Sequence, residues 1–300
     1  MNYMQIVATE NTIYTSPDAS KIFCYTPSIL VTPTGRLIVS FDLGGEGVKS
    51  IEGHKSSRAG GSRFGQGKIF ISDDNGQKWT FVQNFPFWHA RLFTIGNSIY
   101  LIGHAGDICI MKSEDNGESW SDTYFLTHGE KWHSSACNVL FSNGNVYLAM
   151  EQRCRLNEVT GWDVAGLSPT LFRACVEDNL CLASSWSRSE KFIYKEVFDG
   201  AKLDFFGIPF YDCETNKPKE IATGINNAPL GWLEANVVKF VDKDHIWHTD
   251  LKEVFHLFLR AHTGGVNYAH LFKIEIQDDQ SMIPSLEHKR FHISHFPADI

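Results

Sequence analysis

The chain has 300 residues, 43% of them hydrophobic and 21% charged, so it can bury a large core and falls outside the disordered class. Its formal net charge is −8 and no Lys/Arg run is longer than a pair, which argues against nucleic acid or an anionic membrane as a main partner. Seven cysteines, odd in number and without a C-x-x-C pair, point to reduced thiols rather than a disulfide framework or a zinc site, and no metal or cofactor is expected.

The N-terminus has no basic segment followed by an apolar one, and no run of about 18 apolar residues occurs anywhere. The chain is therefore expected to be cytoplasmic as encoded; a form processed from an exported precursor reads the same way. Residues 28–31 and 35–41 read as the first hairpin, an apolar strand, a Gly turn and an alternating return strand. Residues 44–67, rich in Gly, Ser and basic side chains, read as a long loop of the kind that carries binding function on β scaffolds. An alternating strand at 68–71 then runs into an eight-residue pattern, Ser-x-Asp-x-Gly-x-x-Trp, with Ser72, Asp74, Gly76 and Trp79 at its marked positions. Residues 90–93 with 96–102 form the next hairpin, and a strand at 108–111 leads into a second copy of the pattern at Ser113, Asp115, Gly117 and Trp120. Further hairpins follow at 138–141 with 144–150 and at 235–240 with 254–260, the last extended by 269–274. Residues 183–187 look like an eroded third copy. From Glu275 onward strand pattern fades, so the final blade is expected to be thin or missing.

The eight-residue pattern is that of a tight turn: Asp or Asn caps the turn backbone, Gly takes positive φ, and Trp packs beneath. The copies at Ser72 and Ser113 are 41 residues apart, within the roughly 40 to 50 of a four-stranded propeller blade. The pattern resembles the Asp-box of the sialidase-like superfamily, which implies an all-β, single-domain β-propeller over residues 1–300, with five or six four-stranded blades and the boxes away from the active site. Residues 24–35 resemble the opening segment of true sialidases, where an Arg before Ile-Pro helps hold the sugar carboxylate; here that position is Thr26, a departure that counts against sialic acid itself. The stretches 89–94, 172–190 and 231–238 are similar to uncharacterised bacterial exo-sialidase-like proteins, and the resemblance covers most of residues 20–275.

In a propeller the reactive groups stand where polar residues interrupt or end the inner apolar strands. Four clusters fit: Trp88, His89 and Arg91 with His104; Trp132 and His133 with Glu151 and Arg153; Trp232, Glu234 and Asn236; and Arg260 with His262, followed by Tyr268. Glycosidic cleavage needs an acid and either a base or a nucleophile, so Glu151, Glu234 and His133 are the expected catalytic residues. His89, Arg91, Arg153, Asn236, Arg260 and His262 are the expected substrate-binding residues, the arginines by pairing with a carboxylate. The leading expectation is a sialidase-like exo-glycoside hydrolase acting on a terminal sugar, acidic or neutral, of an oligosaccharide or polysaccharide. A polysaccharide lyase on a uronate-containing glycan and a non-catalytic glycan- or protein-binding propeller are the alternatives.

Overall fold

The computed structural model describes residues 10–57, 64–133, 138–154, 167–193, 231–239, 254–262, 267–276 and 282–292. Among them there are four antiparallel sheets and no α-helix; the only helical turns are short 3-10 segments. The contacts divide the chain into two compact units, Met1–Ala105 with Ile110–Thr123, and Gly106–Cys109 with Tyr124–Ile300.

In the first unit, β1 (Phe23–Val31), β2 (Leu37–Gly44), β4 (Phe64–Ser72) and β5 (Thr80–Phe85) form a meander, with the short β3 (Ser56–Ser57) also on β4. Part of the long loop expected at 44–67 is thus ordered by a 3-10 turn, Glu46–Ser50, and by β3. Alternation along β2 sends Val39, Phe41 and Leu43 into a cluster with Ile22, Val48 and Phe70, in which the Phe41 and Phe70 rings stack at 5.7 Å. The other face of β2 carries Ile38, Ser40 and Asp42, all buried. Next come β6 (Trp88–Ile95), β7 (Ser98–Ala105), β8 (Asp107–Ser113) and β9 (Tyr124–Phe125), paired in that order.

Both eight-residue patterns are tight turns. Asn75 and Gly76, and Asn116 and Gly117, all have positive φ. Asp74 Oδ1 accepts the Lys78 N–H at 2.8 Å and Asp115 Oδ1 the Ser119 N–H at 2.9 Å, so the acids cap their turns as expected. The Ser at the first position is equally important: Ser72 Oγ and Ser113 Oγ each donate to the capping acid and accept the turn Gly N–H at 2.9 Å. Trp79 closes its turn by donating Nε1–H to Gly76 O. Arg36, in the β1–β2 turn, clips the two copies together, bidentate to Asp73 at 2.6 and 2.9 Å and bonded to Glu118 and to Asn116 O.

In the second unit, β10 (Trp132–His133) and β11 (Leu140–Ser142) both pair with β12 (Asn145–Arg153), followed by β13 (Leu167–Cys175) and β14 (Trp186–Arg188). The eroded pattern at 183–187 is a 3-10 turn running into β14, with Trp186 Nε1 donating to Leu180 O at 2.9 Å. The last sheet is β15 (Gly231–Val238), β16 (Val254–His262), β17 (Asn267–Ile276) and β18 (Met282–His292). It corrects the expectation of a thin ending: β18 pairs along nearly all of β17. Its apolar alternation is broken by Pro284, Glu287, His288 and Lys289, the composition that protects an edge strand and hides it from a search for alternation.

Candidate functional site

One position recurs in every sheet. In β2, β7, β12 and β16 a largely apolar run ends at a polar residue: Asp42, His104, Glu151 and Arg260. The registers put these opposite Tyr25, Trp88, His133 and Leu233 on the neighbouring first strand. In three sheets the next residue of that first strand has positive φ, Thr26 at 49°, His89 at 53° and Glu234 at 59°, each at a break in register. A non-glycine residue held there costs of order 1 kcal/mol or more and persists only where its surroundings fix it. Buried carboxylates do the fixing.

In the second unit Glu151 is 1% exposed. Its Oε1 accepts the Ala235 N–H at 2.7 Å, and its Oε2 lies 2.8 Å from His133 Nδ1. One carboxylate therefore joins β10, β12 and the bulge of β15 that carries Glu234. An Nδ1–H donated to Glu151 leaves Nε2 as the nitrogen of His133 that exchanges a proton. Asn236 secures the same bulge: its Nδ2–H donates to Glu234 O at 3.0 Å, and its Oδ1 accepts the Asn138 N–H at 2.8 Å. Trp132 and Trp232 are fully buried, and Trp232 stacks on Phe192 at 4.6 Å, so these rings are core. Glu130, three residues before His133, ties Arg188 and Gln152 together at 2.8 Å.

The first unit holds a parallel arrangement. Asp42, 1% exposed, accepts the His89 N–H at 3.0 Å on Oδ2, and Thr26 Oγ1 donates to the same oxygen at 3.3 Å. The His89 and His104 rings meet edge to face, with Nδ1 and Nε2 3.3 Å apart. Burial pushes the Asp42 carboxyl up to about 7, against the opposing pull of the His89, Thr26 and Ala90 hydrogen bonds and of the Arg91 charge. Trp88 is seated by Gly65, where a Cβ would lie 1.8 Å from the indole nitrogen.

The structure thus brings His133, Glu151 and the Glu234 bulge together in one unit, and His89 and Arg91 with Asp42 and His104 in the other. Arg91 is buried at 8% exposure, and the Arg153 N–H donates to Lys131 O at 2.7 Å. Arg260 and His262 stand opposite Leu233 and Gly231 in the register; their side chains, like that of Tyr268, lie outside the described residues. Asp42 is not among the residues expected from the sequence. Its signal was present, because the run ending at Asp42 matches those ending at His104, Glu151 and Arg260 when the hairpins are aligned. Among the described residues no group of three or more His, Cys, Asp or Glu is arranged to hold a metal ion.

No protein-family model matches the sequence, and no curated protein matches it. Solved structures do. The α-L-arabinofuranosidase of Lactobacillus brevis superposes with a TM-score of 0.51 at 13% identity, over 89% of this chain and 78% of that one. The α-L-arabinanase of Penicillium chrysogenum, complexed with arabinobiose, gives 0.49 at 12% over 93% and 70%. A sialidase of Streptococcus pneumoniae gives 0.49 at 10% over 91% and 49%. At such identity the likeness is one of fold. With the succession of four-stranded antiparallel sheets, the first of these places the chain in the all-β, β-propeller class.

Proposed function

We propose that this chain is a carbohydrate-active enzyme of the sialidase-like, Asp-box type, an exo-acting glycoside hydrolase that removes a terminal sugar. The observation that carries the reading is the Glu151 bridge, which sets an imidazole and a strained, carboxylate-bearing bulge side by side. Glu151 itself has both oxygens engaged and almost no exposure, so its part is to orient. The acid–base work then falls to His133 and Glu234. One protonates the glycosidic oxygen as the bond breaks, and the other activates water or attacks the anomeric carbon. The propeller glycosidases among the structural neighbours agree with this reading at the level of fold.

The His133–Glu151 pair also favours a second reading, a polysaccharide lyase. A neutral imidazole oriented by a carboxylate is suited to abstract the proton next to a uronate carboxyl group. One experiment separates them: incubation with a panel of neutral and uronate-containing oligosaccharides, following both reducing-end release and ultraviolet absorbance. Release without absorbance supports the hydrolase, and an absorbing unsaturated product supports the lyase. Binding without any product leaves a glycan-binding propeller, and neither product nor binding overturns the carbohydrate reading.

A further inference from the structure

We propose that Asp42 is a positioning residue, which clamps the β6 bulge through Oδ2 and so fixes the His89 imidazole against His104 for contact with a hydroxyl-rich ligand. The ligand class rests on the carbohydrate reading above; the clamp does not.

Two donors converge on Asp42 from two strands: the Thr26 hydroxyl of β1 and the backbone N–H of His89 of β6. Thr26 and His89 are the two positive-φ residues of this unit's first strands, so one carboxyl group satisfies the backbone at one bulge and the side chain at the other. At 1% exposure the group cannot reach a ligand itself, which rules out a direct acid or base role. The two oxygens differ. The bonds from Thr26 and His89 fall on Oδ2, whereas Oδ1 is buried with no hydrogen-bond partner among the described residues. Tyr25 faces Asp42 across β1 and Gly67 across β4; Arg91 supplies the nearby positive charge on β6, and His89 links the group to His104 on β7. Oδ2 of such a group accepts hydrogen bonds whether the carboxyl is protonated or ionised, so the clamp holds in both protonation states. Glu151 repeats the device in the other unit by accepting the N–H next to Glu234.

Asparagine copies the protonated form, an acceptor at one position and a donor at the other. Two-dimensional NMR of the whole chain therefore tests the clamp. At a pH where Asp42 is protonated, the His89 amide resonance of Asp42→Asn should match that of the wild type, and the affinity for the best oligosaccharide of the panel should be kept. In Asp42→Ala the His89 resonances should move and that affinity should fall by about tenfold or more. An alanine variant with wild-type His89 resonances, or an asparagine variant that loses them as alanine does, overturns the proposal. Should the alanine variant not fold, Asp42→Asn and the wild type decide: in both, the His89 amide should be protected from hydrogen exchange, and a His89 amide that exchanges freely in the folded wild type overturns the proposal. If the wild type binds no glycan, the carbohydrate reading fails alone, and the clamp is judged on the resonances.

Discussion

At Glu151 a single buried carboxylate satisfies a backbone N–H and an imidazole on two different strands. Replacing it with Ala strands both donors in a site closed to water, and the expected loss is about 2 to 3 kcal/mol of stability in urea denaturation. Glu234→Gln should leave stability within about 0.5 kcal/mol, because the bulge is held by its backbone and by Asn236. Equal destabilisation by the two variants would contradict this division of labour. Asp42 makes a pH prediction of the opposite sense to that of an ordinary paired carboxylate. Its folded value of about 7 lies above the usual 3.8, so between those values the folded protein holds a proton that the unfolded chain has released. Stability should therefore fall as pH rises through that window and level off above it, by roughly 4 kcal/mol at most. Asp42→Asn should remove this contribution, which denaturation midpoints measured across the window would show. From sequence, Glu151, Glu234 and His133 could be picked out because each interrupts or ends an apolar strand. The proposed division between orienting and reacting groups could not, since it depends on which oxygens the neighbouring strand occupies.

At the scale of the element, the two eight-residue turns were legible because their chemistry is local: cap, positive-φ pair and Trp lie within eight residues. The serine's role was less visible, for a hydroxyl that bonds both the capping acid and the Gly N–H is seen only in the closed turn. Ser72→Ala and Ser113→Ala should each cost about 1 kcal/mol by losing that bond, without changing turnover on any substrate found. The registers separate the turns from the carboxylate position: Ser72 pairs with Leu37 at one end of β2 and Gly67 with Asp42 five residues along, about 17 Å away. A serine variant with wild-type stability and impaired turnover would reverse the assignment. Arg36 was invisible for another reason. Its partners, Asp73 and Glu118, lie 37 and 82 residues away, and nothing local marks a turn arginine as a clip. β18 was missed because edge strands suppress the alternation by which strands are read.

For the molecule as a whole, the repeat spacing and the alternating strands sufficed for the all-β propeller class, since a blade is a local meander whose pattern returns at a fixed interval. The five-or-six blade count was an expectation of the same spacing, and four sheets lie among the described residues. The catalytic pair proposed at the Glu151 bridge is decided by the turnover of Glu234→Gln relative to wild type on the most rapidly processed oligosaccharide of the panel. A fall of roughly 10²-fold or more with unchanged folding is the predicted result. Turnover equal to that of the wild type would mean that Glu234 takes no part in the chemistry.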